Sequence, residues 1–107
     1  MVQSKLVQVI IDRPIGYVDK FNNVYPVNYG YIPGIIGGDG EEQDVYVLDF
    51  DYPIDKYQGK VVAVVHRNDD VETKWIVSNQ KLSKAEIMKK VYFMEQYFDS
   101  EIQMFEE

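Results

Sequence analysis

Short apolar stretches alternate with polar, turn-forming segments over most of the chain. Five of these stretches are rich in β-branched and aromatic residues and are too short for helices, so they are predicted to be strands. They lie at residues 5–11, 24–32, 45–48, 60–66 and 73–78. The uninterrupted apolar run at residues 61–65 predicts burial on both faces. Pro26 and Gly30 interrupt the second stretch, which predicts short strand pieces with exposed tyrosine side chains.

A helical pattern follows the last predicted strand. Ser83 and Glu86 have the spacing of a capping box, in which each side chain accepts a hydrogen bond from the other residue's backbone amide. Beyond them, apolar residues recur at helical spacing and predict one long C-terminal helix that packs on the sheet. This buried stripe comprises Ile87, Val91, Met94, Phe98 and Ile102. Strands followed by a helix predict an α+β fold, mainly β, with a small β-barrel or curved antiparallel sheet.

Composition narrows the class of protein and of partner. The 107 residues suit a single domain over 1–107, and the lack of cysteine excludes disulfides and thiolate metal sites. No signal peptide or membrane span is evident, so a cytoplasmic protein is expected. The net charge of -7 argues against nucleic-acid or anionic-membrane partners. An anionic substrate would require metal cations that reverse the local charge.

Carboxylates are concentrated in two loops that border predicted strands. They are Asp39, Glu41 and Asp44 in the first loop, and Asp69, Asp70 and Glu72 in the second. If both loops faced one pocket, these carboxylates would repel one another strongly without cations. Mg²⁺ is a suitable cation, because it prefers oxygen ligands and binds through a few carboxylates together with substrate phosphates. A pair of such ions could activate a water and hold phosphoryl oxygens.

The same residues allow plainer interpretations. Acidic loops are often only solvated, the tyrosines could be half-buried packing residues, and Asp69 and Asp70 suit a simple hairpin turn. The acidic loops do not have the ligand spacing of an EF-hand. His66 is the only histidine, so a zinc centre is not expected. A glycine-rich phosphate loop with its lysine and a nucleophilic serine motif are both missing.

A run of tyrosines lies just before the first acidic loop. It reads YPVNYGYIPG at residues 25–34 and is followed by DGEEQDV at residues 39–45. In residue type and spacing, these segments closely resemble the signature region of family I (soluble) inorganic pyrophosphatases. That family shows a Tyr-Pro-x-Asn-Tyr-Gly-Tyr run and then an Asp-x-Asp-Pro-x-Asp motif. The likeness extends more weakly across most of the chain.

The resemblance implies an OB-like, five-stranded β-barrel flanked by helices and Mg²⁺-dependent hydrolysis of pyrophosphate to two phosphates. Glu41 stands where the family has the aspartate proposed to take a proton from the attacking water. The resemblance also implies a catalytic role for Asp44. The implied metal ligands are Asp39, Asp44 and Glu72, joined by Asp69 or Asp70. The implied substrate-binding residues are Asp12, Arg13, Tyr25, Tyr29, Lys74 and Tyr97.

Several departures from the family pattern affect phosphate binding. Glu41 and Glu72 replace aspartates, and Phe98 stands where the family has a phosphate-binding lysine. The segment between residues 16 and 25 is too short for the family's Lys-x-Glu hairpin and later arginine, which leaves Arg13 and Lys20 as the nearby cations. We therefore expect weaker phosphate binding or another diphosphate substrate. The alternatives are a catalytically weak or inactive module that binds metal and a phosphate-containing ligand, and a purely structural interaction domain.

The aromatic residues near the C-terminus suggest self-association. They are too many for one helix face, so some are expected to meet a second copy in a homo-oligomer. These residues are Tyr92, Phe93, Tyr97, Phe98 and Phe105.

Overall fold

The computed structural model describes residues 6–69 and 72–105, and this part of the chain forms six strands and one helix. The elements are β1 (Leu6–Arg13), β2 (Asn28–Ile36), β3 (Glu42–Val47), β4 (Lys56–Arg67), β5 (Thr73–Ser78), α1 (Lys84–Glu95) and β6 (Ser100–Met104). No helix among these elements has the length and apolar character needed to cross a membrane.

Five of the strands close into a barrel. The strand order is β1-β2-β3-β5-β4, and β4 pairs with β1 to complete the circle. All of these pairs are antiparallel except β3–β5, which is parallel. The mainly β, OB-like α+β fold expected from the sequence is therefore confirmed. Because β4 is long, its first half pairs with β1 and its second half pairs with β6.

The strands bury residues on both faces, as the run at residues 61–65 indicated. In β3, Val45 and Val47 belong to the apolar cluster inside the barrel, whereas Tyr46 belongs to a second cluster beneath α1. Successive strand residues point to opposite faces, so one strand contributes to two cores. The predicted capping box is present, with Ser83 as the N-cap and Glu86 as its partner. Behind it, Ile87 and Val91 of α1 are fully buried.

The predicted length of the helix was wrong. The helix ends at Glu95, and Ile102 lies in β6 opposite Val65. β6 supplies hydrogen-bond partners to the second half of β4, whose buried backbone groups need them. The helical spacing of Ile102 is therefore coincidental. Its conformation is determined by backbone hydrogen bonding to β4.

Two expectations for the second predicted strand were also wrong, because Gly30 does not interrupt β2, which runs unbroken over Asn28–Ile36, and the tyrosines are not exposed. Tyr25 and Tyr29 are buried in the core beneath α1, and Tyr31 is half-buried. The ring of Tyr25 meets Phe93 of the helix edge to face, with centroids 5.0 Å apart. Edge-to-face packing lets several tyrosines share one core while their hydroxyls reach polar partners at its border.

We expect Gly30 to be intolerant of any side chain. A Cβ atom at this position would lie 1.9 Å from the backbone oxygen of Ile10 in β1. Gly30→Ala should lower the free energy of unfolding by about 4 kcal/mol or more, because two paired backbones would have to separate. Gly34, in the same strand, has open space around it and a φ of +84°. Gly34→Ala should therefore cost only about 1–2 kcal/mol.

Urea unfolding followed by the fluorescence of Trp75 measures both variants under the same conditions. Similar losses of stability in the two variants would contradict the close approach of β1 and β2 at Gly30.

Candidate active site

Three carboxylates from both acidic segments meet at one end of the barrel. Asp39 lies in the loop between β2 and β3, Asp44 lies in β3, and Glu72 immediately precedes β5. One oxygen from each lies within 4.8 Å of the other two. Asp39 is exposed and the other two are half-buried. The parallel pairing of β3 with β5 accounts for the meeting, because it aligns the starts of these two strands.

The side chain of Lys74 reaches into this group of carboxylates. Its Nζ atom lies 2.7 Å from Oδ2 of Asp44, forms an ion pair with Glu72 and donates to the hydroxyl of Tyr29 at 2.9 Å. Burial works against the charge of Lys74, but Tyr29 and the two carboxylates together raise its pKa. Lys74 is therefore positively charged and compensates only part of the charge of the three carboxylates.

The remaining electrostatics favour a site with excess negative charge. The backbone amide of Glu41 donates to Oδ1 of Asp39 at 3.0 Å, and this bond is the largest cause of the lowered pKa of Asp39. Burial raises the pKa of Asp12, and the nearby charge of Asp44 raises it further. Hard oxygen donors with a net negative charge suit a hard divalent cation such as Mg²⁺. The donor set of Asp39, Asp44 and Glu72 therefore fits the metal that the resemblance implies.

A second positive group stands beside this cluster. The guanidinium carbon of Arg13 lies 5.3, 5.7 and 5.6 Å from the ring centroids of Tyr17, Tyr25 and Tyr29. Its Nη1 atom donates to the hydroxyl of Tyr25 at 2.6 Å. Within residues 6–69 and 72–105, Arg13 forms no ion pair within 4.0 Å. The tyrosines hold the cation by their ring faces and leave its charge available to an anion.

Arg13 and Lys74 both line a cavity of about 550 Å³. Tyr25, Tyr29 and Tyr97 line it as well, so five of the six predicted substrate-binding residues border one space. The sixth, Asp12, does not line the cavity, because neighbouring residues of β1 point to opposite faces.

The other predicted residues do not line this cavity, and one of them lies outside the described residues. Glu41 is exposed beside Asp39. Asp69 is exposed in the turn between β4 and β5 and does not belong to the group of three carboxylates. Asp70 lies outside the described residues. Lys20 is exposed, with its ammonium 5.4 Å from the ring centroid of Phe21. His66 lies near the end of β4, as expected for a strand residue.

Sequence reasoning missed a buried ion pair behind the site. Arg67 donates to Glu95 through Nε at 3.1 Å and through Nη2 at 2.7 Å. The carboxylate of Glu95 also accepts hydrogen bonds from Tyr46 and Ser100, each at 2.7 Å. Arg67 extends toward Glu72, 3.4 Å away, so it links this pair to the three carboxylates. Glu95 could have been found, because it continues the helical spacing of Ile87 and Val91.

The guanidinium of Arg67 also covers the ring of Phe98, with 3.7 Å between its central carbon and the ring centroid. Phe98 is the residue that stands where the resembling family has a lysine. Arg67 of β4 therefore places a positive charge beside Phe98, the position at which the family has a lysine.

Sequence comparison relates the chain to one family. A family model described as inorganic pyrophosphatase matches residues 3–106. The chain is also 34% identical over 84 residues to inorganic pyrophosphatase 2 of Pseudomonas syringae pv. tomato, which covers 68% of this chain and 46% of that relative. The chain thus spans less than half the length of the curated relative that it matches.

Solved structures with the same fold carry the same family description. The inorganic pyrophosphatase of Ehrlichia chaffeensis matches with a TM-score of 0.72 and 19% identity, over 97% of this chain and 88% of that chain. The inorganic pyrophosphatase of Helicobacter pylori matches with a TM-score of 0.64 and 20% identity, over 96% and 84% of the two chains. At such identities these likenesses support the fold.

We expect Glu95→Gln to destabilise the protein by about 3 kcal/mol at pH 7, because it leaves the buried charge of Arg67 with only the longer contact to Glu72, at 3.4 Å. Burial alone would raise the pKa of Glu95, but hydrogen bonds from Arg67, Ser100 and Tyr46 outweigh it and lower the pKa below its ordinary value of 4.5. The stabilisation is therefore fully present above about pH 4.5 and is lost as the pH falls through the lowered value.

Urea unfolding of wild type and variant between pH 3 and pH 7 tests this expectation, and the two should converge in acid. Glu101→Gln, which neutralises an exposed carboxylate in β6, should change stability by less than about 0.5 kcal/mol. A Glu95→Gln variant as stable as wild type at pH 7 would show that the ion pair contributes no net stability.

Proposed function

Because this chain belongs to the inorganic pyrophosphatase family, we propose that it hydrolyses inorganic pyrophosphate to two phosphates in a Mg²⁺-dependent reaction. The observation that carries this proposal is the meeting of Asp39, Asp44 and Glu72 around Lys74 beside a cavity that Arg13 also lines. Phosphoryl transfer depends mainly on positioning and on neutralising charge, and both can be supplied by these side chains.

The metal would be held by Asp39, Asp44 and Glu72, with Asp69 or Asp70 as the further ligand that the family pattern implies. When bound, Mg²⁺ supplies a water of lowered pKa and neutralises phosphoryl oxygens. Excess negative charge remains in the cluster after pairing with Lys74, and this favours a divalent cation over a substrate anion alone. An acidic chain with a net charge of -7 needs such a cation to receive pyrophosphate.

The side chains of this protein would divide the remaining tasks. Glu41 accepts the proton of the attacking water in this proposal, which the family pattern suggests and which the exposure of Glu41 and the bond from its backbone amide to Asp39 support. Lys74 donates to a phosphoryl oxygen from its position beside Asp44. Arg13, which the tyrosine rings hold at the cavity wall, balances the charge of the phosphate farther from the carboxylates. Tyr29 orients Lys74 by accepting its hydrogen bond at 2.9 Å.

A module that binds metal and a phosphate-containing ligand without turnover is the second candidate. The pairing of the cations favours it, because Arg67 is held by Glu95 and Lys74 by Asp44. Two of the three cations that line the cavity are thus committed to carboxylates, which would weaken product-phosphate binding. Turnover measured alongside metal binding separates the two candidates.

The working state we propose is a cytoplasmic homo-oligomer that binds neither nucleic acid nor membranes. Tyr92 is exposed and would meet a second copy, whereas Phe93 packs against Tyr25 within its own chain. The acidic charge accounts for the expected lack of polyanionic partners.

Phosphate release from pyrophosphate tests the activity directly. We expect release by purified protein with Mg²⁺, none with a chelator, and a loss of at least about a hundredfold in Asp44→Asn, since the variant removes a ligand at the centre of the cluster. Asp51→Asn, which neutralises an exposed aspartate outside the site, should retain wild-type activity. Release that survives in Asp44→Asn would point to a contaminating enzyme and leave the assignment of this site unsupported.

Thermal unfolding tests metal binding without requiring turnover. Mg²⁺ at about 100 times its Kd should stabilise the folded protein by about 2.7 kcal/mol and raise Tm accordingly. The rise should shrink in Asp44→Asn and persist in Asp51→Asn, with KCl at the same ionic strength as the salt control. Equal rises in all three proteins would reject the carboxylate cluster as the metal site.

A further inference from the structure

The cavity beside the carboxylates is built for more than pyrophosphate. We infer that this site also takes nucleoside diphosphates, with the diphosphate against Lys74 and Arg13 and the aromatic base between Phe21 and Tyr97. This inference rests on the proposed function, because it assigns a substrate class to the same metal-dependent hydrolysis.

The cavity is lined both by cations and by large aromatic and apolar side chains. Arg13, Lys74 and Arg67 supply its cationic part, and four of the other lining residues have large, mainly apolar side chains. These are Phe21, Met94, Tyr97 and Phe98. Its volume of about 550 Å³ falls within the range of roughly 300–1,000 Å³ that holds drug-sized ligands. Pyrophosphate is much smaller and has no apolar group with which to cover such a wall.

Two of the rings at this wall are unusually exposed. Phe21 is 74% exposed and Tyr97 is 63% exposed. They come from distant parts of the chain, since Phe21 lies between β1 and β2 and Tyr97 follows α1. Both nevertheless border the cavity that contains Arg13 and Lys74. A flat aromatic group attached to a bound diphosphate would cover these rings, and stacking on aromatic side chains tolerates any base.

The loop that carries Phe21 is ordered by its own hydrogen bonds. Oδ1 of Asp19 accepts from the backbone amides of Phe21 and Asn23, each at 2.9 Å. An isolated bridge between Val18 and Val24 closes the loop. The position of Phe21 is therefore set before a ligand arrives, which lowers the entropic cost of stacking. Asp19 and Asn23 also line the cavity and add polar groups suited to ribose hydroxyls.

The reaction on such a substrate balances without any additional reactant. The oxygen of water forms a bond to the terminal phosphorus, and the bond from that phosphorus to the bridging oxygen breaks. The bridging oxygen leaves with the nucleoside monophosphate, while one proton of the water passes to the carboxylate of Glu41 and then to solvent. The products are a nucleoside monophosphate and inorganic phosphate, with no change of oxidation state.

The experiment compares ADP with methyl diphosphate, a monoester that has the same reacting groups and no base. Phosphate release is measured with Mg²⁺ for both, with pyrophosphate as the reference substrate. We expect kcat/KM for ADP to exceed that for methyl diphosphate about tenfold, the effect of stacking one base. Phe21→Ala should reduce this ratio to about one. Tyr92→Ala, which removes an exposed ring of α1 that does not line the cavity, should leave the ratio unchanged.

Each of the other results has a definite meaning. Hydrolysis of pyrophosphate without hydrolysis of ADP would overturn the inference and leave the proposed function intact. An equal kcat/KM for ADP and methyl diphosphate, or a ratio unaffected by Phe21→Ala, would overturn it as well. If none of the three compounds is hydrolysed, the proposed function fails, and calorimetric binding with Mg²⁺ decides the ligand class. Binding of ADP about tenfold tighter than that of methyl diphosphate would then support the assignment of the base, and equal binding would reject it.

Discussion

β3 and β5 lie side by side in parallel, with Val45 opposite Trp75 and Val47 opposite Val77. Residues near the start of β3 therefore lie beside residues near the start of β5, although about thirty positions separate them in the chain. Asp44 and Glu72 come together in this way, and Lys74 lies between them. Parallel neighbours cannot be joined by a tight turn, so the chain crosses the barrel through β4 before it returns as β5. The closed barrel is thus a requirement of the site as well as of the fold.

The ion pair of Arg67 with Glu95 supports this arrangement from behind. It joins β4 to α1, and the bonds from Tyr46 and Ser100 add β3 and β6 to the same carboxylate. Four elements therefore meet at one buried group. A buried pair gives little net stability over an apolar substitute, because desolvation offsets its attraction. Its hydrogen bonds tie all four elements to the same carboxylate.

Tyrosines serve the core and the cavity at the same time. Tyr29 packs edge to face with Tyr25 and Tyr46, at centroid distances of 5.8 and 5.1 Å. Its hydroxyl nevertheless reaches Lys74, and the hydroxyl of Tyr25 reaches Arg13. Two of the three cations of the cavity wall are thereby attached to the apolar core rather than to flexible surface groups. This arrangement can position a charged ligand with little movement of the protein on binding.

Local sequence determined the elements whose signals are contained within a few residues. The capping box of Ser83 and Glu86 started the helix where expected, and the β-branched runs gave strands at the expected places. The tyrosine run and the acidic segments identified the family, because their types and spacing are read along the chain. Tertiary structure decided whatever depends on partners far away in sequence. Ile102 is in a strand because β6 pairs with β4, and Tyr25 and Tyr29 are buried because they pack in the core beneath α1. The pairing of Arg67 with Glu95, and the presence of Phe21 and Tyr97 at one cavity, depend on strand register and packing, which short-range periodicity does not encode.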